Sequence, residues 1–227
     1  MKITVVAATG GIGRHLLDQA LAADHQATVL VRNPDRLTPE QRASDRIRVV
    51  TTDLADPDPA AVERAVAGAD AVLSGLGARS NAEAGVAERG TRALVRAMRS
   101  TGTRRIVVVS AAPVGTVPSP GRPTPPRYDP GDGFLMRHLF GPAVKAALRP
   151  HYADLARMED ELRGSGLDWT VVRPPRLTDG PATGTSRTAL GQNVRGGWTV
   201  PRAEVARRML RLLDDPQTVR EVIAVAR

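Results

Sequence analysis

Thr9-Gly10-Gly11-Ile12-Gly13 has the residue types of a backbone turn that takes phosphate. Glycine lets the chain turn sharply and lets a diphosphate approach the backbone N–H groups. Ahead of the turn, Ile3, Val5 and Val6 form a β-branched run that reads as a buried strand. Behind it, Leu16, Leu17, Ala20 and Leu21 recur at helical spacing. Strand, glycine turn and helix in that order place the positive end of a helix against a dinucleotide's phosphates. The first glycine usual in such a turn is missing, its place filled by Ala7, so the flanking elements carry the reading.

Further along, single residues at strand ends could contact the rest of such a cofactor. Ala27 to Val31 reads as a second strand, and Arg32 follows where an NAD-selective site usually puts a carboxylate. A guanidinium there suits a 2′-phosphate, which predicts NADPH over NADH, with Arg36 as a second contact. The alternative is a solvated surface arginine. Asp53 follows a third strand, Ile47 to Val50, and could meet the adenine amino group or cap a helix beginning near Pro57 to Pro59. Ser74-Gly75-Leu76-Gly77 puts small residues at the end of a fourth strand, Ala69 to Leu73, so that a cofactor can lie across the sheet. A fifth strand, Arg104 to Val109, delivers Ser110 to the same edge. A sixth, Trp169 to Val172, leads into Arg173-Pro174 where a nicotinamide would lie.

The elements that hold these residues alternate strand and helix, which predicts an α/β, doubly wound parallel sheet with helices on both faces. Helices are expected at Ala61 to Val66, Glu83 to Arg99 (ended by Gly102), His151 to Arg163 after a break at Pro150, and around Val205 to Leu213, with a last strand at Val222 to Val225. Pro113 to Gly133 is rich in proline and glycine and reads as a long loop, either a lid on the substrate side or disordered. Phe134, Leu135, Met136, Leu139 and Phe140 then resume an apolar helical pattern. Thr183 to Gly197 is turn-rich and reads as a second pocket wall.

At 227 residues the chain is expected to form one domain. It has no cysteine, which removes disulfides and thiol chemistry, and its four histidines show no metal-ligand spacing. The net charge of +8 is carried almost wholly by scattered arginines, and aromatics make up only 3%, so a nucleic-acid partner is not expected. With neither a leader pattern nor a run long enough to cross a bilayer, a soluble, cytoplasmic protein without membrane contact is expected.

On these residues the chain resembles the atypical short-chain dehydrogenase/reductase superfamily, most closely its NmrA-like and flavin reductase/biliverdin-IXβ reductase branch. The motifs are AATGGIG, VRNPDRL, TDLAD, VVVSA, SGLDWTVVRPPRLTDG and PRAEVARRML. The resemblance implies a Rossmann-like fold that binds NADP(H). It places Thr9 to Gly13 on the diphosphate, Arg32 on the 2′-phosphate, Asp53 and Leu54 by the adenine, and Gly75, Leu76, Gly77 and Ser110 along the ribose and nicotinamide.

Ordinary members carry a Tyr-x-x-x-Lys pair that protonates a carbonyl. Aligned on Glu159 and Ser165-Gly166-Leu167, those places hold His151 and Leu155, with Tyr152 one residue away. The expected activity is therefore hydride transfer from NADPH to a conjugated small molecule, such as a quinone, flavin or enone, that needs little acid help. Ser110, Tyr152 and His151 are the candidate catalytic residues, though Tyr152 also has the spacing of a core residue. The alternatives are a non-catalytic NADP(H) sensor of NmrA type and a redox-neutral isomerase or dehydratase. The chain is expected to act as a monomer or homodimer on a small-molecule substrate.

Overall fold

The computed structural model describes residues 1–78, 80–134, 137–138 and 141–227. Its first half runs β1 (Lys2–Val6), α1 (Gly13–Ala22), β2 (Gln26–Val31), α2 (Pro39–Ala43), β3 (Ile47–Thr51), α3 (Pro59–Val66), β4 (Ala71–Ser74), α4 (Val86–Thr101) and β5 (Arg105–Val109). After a long irregular stretch come α5 (Gly141–Ala147), α6 (Arg149–Arg163), β6 (Asp168–Arg173), β7 (Arg176–Thr178), β8 (Arg187–Leu190), β9 (Thr199–Pro201), α7 (Arg202–Arg211) and β10 (Glu221–Ala226).

Eight strands form one sheet in the order β3-β2-β1-β4-β5-β6-β10-β8. Every pairing in it is parallel except that of β10 with β8. The strands are short and β-branched, so alternate side chains serve opposite faces. Val6, Leu30, Val72, Ile106 and Val171 join α3, α4 and α6 in one core. Val5, Val29, Leu73, Val107 and Val172 join α1 and α7 in the other. This is a Rossmann-like, doubly wound α/β sheet. Strand order reverses between β1 and β4, the crevice where such sheets bind ligands beyond their carboxyl ends.

The differences from expectation have local causes. α4 begins at Val86 rather than Glu83, because Asn81–Glu83 forms a separate 3-10 turn and Gly85 takes φ 96°. Its first turn is capped from another helix: the buried Asp154 carboxylate on α6 accepts from the N–H groups of Ala87 (3.1 Å) and Glu88 (2.9 Å). Pro150 does not break a helix but lies in the first turn of α6, where its missing N–H costs nothing. The Thr38–Gln41 capping box starts α2, a helix in a segment whose sequence shows only polarity. Within the turn-rich 183–197 stretch, β8 pairs as an antiparallel edge, and β7 and β9, which flank the stretch, pair with each other. Of the apolar pattern after the loop, Leu135, Met136, Leu139 and Phe140 lie outside the described residues. No helix among the described residues is long and apolar enough to cross a membrane.

Candidate functional site

The glycine turn lies at the strand reversal, and its close backbone contacts explain its composition. A Cβ on Gly13 would stand 2.0 Å from the Ala7 carbonyl oxygen, so no other residue fits there without moving α1 off β1. Gly10 donates its N–H to that carbonyl at 2.8 Å, and a Cβ on Gly10 would be 3.0 Å from it. Ala7 itself has φ 57°, the left-handed region that glycine occupies without penalty. α1 has no side-chain cap and no acidic residue in its first turn, which leaves its N-terminal N–H groups open to an anion. On the neighbouring strand end, a Cβ on Gly75 would lie 3.1 Å from the Gly13 nitrogen. This cradle, closed to side chains and lined by backbone, fits a dinucleotide diphosphate.

At the outer end of the crevice Arg32 is half exposed, its Nη1 lying 3.5 Å from Glu83 Oε1 and 3.9 Å from Asp53 Oδ2. Arg36 is exposed in a short turn (Pro34–Arg36). Asp53 does not cap α3, because Asp58 does so by accepting from the Ala60 N–H; Asp53 instead accepts from Ala55 N–H at 3.0 Å. Leu54 and Leu76 are buried against Gly90, where a Cβ would stand 2.5 Å from Leu76 Cδ2. They therefore shape the floor beneath the crevice. A Cβ on Gly77 meets open space.

At the inner end Ser110 is buried, and its hydroxyl donates to Glu159 Oε1 at 2.7 Å. The fully buried Glu159 also accepts from Arg173 through Nε and Nη2 and from Arg163 Nη2 at 2.6 Å. Burial alone would raise the Glu159 pKa; the guanidinium of Arg173, by charge and hydrogen bond, with the Arg163 charge and the Ser110 hydroxyl, holds the carboxyl below its usual range. A buried carboxylate needs such partners. The Ser110 hydroxyl is thus committed to this network rather than pointing at an acceptor. Pro174 is buried beside it, its carbonyl accepting from the Ala112 N–H at 2.9 Å.

On α6 the two candidates for the missing acid part company. Tyr152 lines the adjoining cavity, and burial raises its phenol pKa. The His151 ring sits 5.6 Å from that of Tyr152, and its pKa is lowered by burial, offset in part by the Asp154 charge. Leu155, in the lysine place, is core.

Beyond Ser110 and β6, Ala111–Pro113 and Pro174–Pro175 line a cavity of about 990 Å³. One wall is the proline-rich loop, which is tied down: Asp129 Oδ1 accepts from the N–H groups of Gly131 (2.9 Å) and Asn193 (2.7 Å), and Gly121 N–H donates to Asp160 at 2.9 Å. The 183–197 stretch makes the facing wall, pressed so close that a Cβ on Gly131 would stand 1.9 Å from the Asn193 carbonyl oxygen. These hydrogen bonds hold the loop as a wall of the cavity.

Two features have no counterpart among the residues singled out by sequence. Arg202, at the start of α7, lies over the glycine turn with Nε 3.0 Å from where a Gly11 Cβ would be; Asp179 binds it at 2.9 Å and stands 3.7 Å from Arg14. The Glu159–Arg173 pair is the second. Neither has a signal in local spacing, since each joins residues from separate elements. Among the described residues no cluster of possible metal ligands occurs.

The sequence matches the NAD(P)H-binding family over residues 7–216. A UPF0659 protein of Schizosaccharomyces pombe is 28% identical over 97% of this chain and 89% of its own length. An uncharacterised sugar epimerase, YhfK of Bacillus subtilis, is 26% identical over 96% of this chain and 90% of its own. Among solved structures, a short-chain dehydrogenase/reductase of Veillonella parvula in complex with NADP superposes with a TM-score of 0.78 at 20% identity, covering 100% of this chain and 94% of that one. ChuY, an anaerobillin reductase of Escherichia coli O157:H7, gives 0.75 at 22% identity, covering 100% and 97%. With most of its length matched and the glycine cradle in place, the chain belongs to the NAD(P)H-binding family.

Proposed function

We propose that this protein is an NADPH-dependent reductase that passes hydride to a conjugated small molecule of quinone, flavin or enone type. The observation that carries this reading is the cavity of about 990 Å³ lined by Ala111–Pro113 and Pro174–Pro175, which leave β5 and β6 at the carboxyl edge of the same sheet that bears the glycine cradle. Thr9 to Gly13, with the first turn of α1, would hold the diphosphate, aided by Arg202. Arg32, with Arg36, would take the 2′-phosphate in exchange for its loose contacts to Glu83 and Asp53. Bound there, the cofactor supplies a hydride at its nicotinamide.

The chain's own residues decide what kind of acceptor is served. An isolated carbonyl needs an acid as the hydride arrives, and the usual tyrosine–lysine pair is absent. Tyr152 is a phenol, protonated near neutral pH, and burial raises its pKa further, so it can donate a hydrogen bond to an acceptor oxygen. A conjugated acceptor spreads the incoming charge and afterwards takes its proton from solvent. The sum is NADPH, a proton and the oxidised acceptor giving NADP⁺ and the acceptor reduced by two electrons. Ser110, bonded to Glu159, would act by fixing the edge beneath the nicotinamide.

The missing dyad also favours a second reading, an NADP(H) sensor without turnover. A panel of quinones, flavins and enones offered with NADPH separates the two. The reductase oxidises NADPH with at least one of them, whereas a protein that binds NADPH and oxidises it with none is a sensor.

A further inference from the structure

The cavity beyond the cofactor crevice has an uneven lining. Of the seven large apolar residues exposed among those described, four line it: Phe134, Val144, Leu148 and Trp198. Such gathering of exposed apolar surface marks a binding site rather than chance. Its charge is equally one-sided. Six cations line it, Arg127, Arg137, Lys145, Arg173, Arg176 and Arg195, against the single carboxylate of Asp132 among the described residues. Asp132 is itself engaged by Asn193 Nδ2 at 2.9 Å.

Of the six, only Arg173 is ion-paired among the described residues, and its partner Glu159 is shared with Arg163. Two of the others stand by one aromatic ring: the guanidinium carbons of Arg127 and Arg137 lie 5.2 Å and 5.9 Å from the Tyr128 ring centre. Lys145 Nζ is directed to Thr116 Oγ1 at 2.9 Å, a neutral partner that leaves the charge uncompensated. Cations crowded around an apolar cleft with so little counter-charge repel one another, and a bound anion relieves that repulsion.

We propose that this cavity selects an acceptor in which an apolar ring system carries an anionic group, a carboxylate, phosphate or sulfonate. The ring packs among Leu148, Val144 and Trp198, and the anion is held by the cations outside the Glu159 pair, foremost Lys145 and Arg176. This rests on the reading of the cavity as the acceptor site, but its test needs no turnover.

The test uses two fluorescent probes with the same rings: 8-anilino-1-naphthalenesulfonate and its uncharged parent, N-phenyl-1-naphthylamine. Each is titrated into the full chain with saturating NADP⁺, so that the cofactor crevice is filled. The sulfonate should bind with unit stoichiometry and roughly ten- to hundredfold more tightly than the neutral parent, the range of one or two charge-assisted hydrogen bonds. That ratio should shrink as salt is raised. In Lys145→Gln/Arg176→Gln the sulfonate should lose about tenfold while the neutral probe binds as before. Equal binding of the two probes by the wild-type protein, or of the sulfonate by wild type and double variant, overturns the proposal. So does failure of both probes to bind. A protein that prefers the sulfonate yet oxidises no NADPH leaves the anionic specificity standing and removes only the reductase.

Discussion

The cofactor crevice and the 990 Å³ cavity lie at the same sheet edge but are built in opposite ways. The crevice comes from contiguous repeats: β1, glycine turn and α1 supply the cradle, and β2 and β4 each add a strand end. Its constraints are close backbone contacts within a few residues, such as Gly13 against Ala7. The cavity is assembled from segments far apart in the chain, with the proline-rich loop pressed on the 191–197 stretch at Gly131 and Asn193 and pinned by Asp129. Beneath it lies a buried ionic knot, Ser110–Glu159–Arg173–Arg163, drawn from β5, α6 and β6. A site made of local turns fails locally when altered, and one made of long-range ties fails as a unit.

Substitutions can break this contrast. Glu159→Ala leaves the buried Arg173 guanidinium without its partner and should cost about 3–5 kcal/mol of stability in chemical denaturation, with disorder spreading to both cavity walls. Gly13→Ala should cost about 3 kcal/mol, the upper end of overpacking, and abolish NADPH binding, read by calorimetry. Unlike the first change, it should leave binding of aromatic anions in the cavity intact wherever the variant is folded.

Acid should loosen the 184–186 turn from α7. Glu204 on α7 accepts from Gly184 N–H, Ser186 Oγ and Arg207, and despite burial, which would raise it, its pKa is lowered from 4.5 to about 2 by those partners. A carboxylate with a depressed folded pKa stabilises fully above its unfolded value, and that contribution is lost as pH falls through the folded one. A tenfold difference in proton affinity between the folded and unfolded chain is worth about 1.4 kcal/mol, so up to about 3 kcal/mol should disappear between pH 4.5 and 2. Melting temperature followed across that window checks it, and Glu204→Gln should flatten the profile.

Within the crevice, two arginines should separate by ligand. Arg32→Ala should weaken NADPH by about 1.5–3 kcal/mol and leave NADH unchanged, whereas Arg202→Ala should weaken both by the same factor, about 1 kcal/mol, because Asp179 already pairs with that guanidinium. The smallest effect belongs to Ala7. Replacing it with glycine removes a left-handed penalty of about 1–2 kcal/mol and returns some unfolded-chain entropy, a net gain of roughly 0.5–1 kcal/mol, seen as a slightly higher melting temperature.

The same contrast explains what could be read from the sequence. The β1–turn–α1 unit, Arg32 at the end of β2, the six parallel strands and Gly102 closing α4 all rest on spacing within a dozen residues, and the structure has them. Asp53 as a helix cap was a wrong alternative because Asp58, closer to the helix start, does that work. β8 was missed because an edge strand of four residues has no periodicity to show. Arg202 over the glycine turn, and Glu159 under Ser110, depend on which helix packs where, and no window of sequence contains that. The cavity's cations were visible only as scattered basic residues until the fold collected them.

The proposed hydride transfer is tested most directly with NADPH deuterated at the transferred position of the nicotinamide. The loaded protein is mixed anaerobically with a conjugated enone bearing a carboxylate. Slower turnover than with unlabelled NADPH, and deuterium recovered on carbon in the reduced product, is the predicted result. Bound cofactor that stays reduced across the acceptor panel, with no label in any product, would contradict it and leave a protein that holds NADPH without using it.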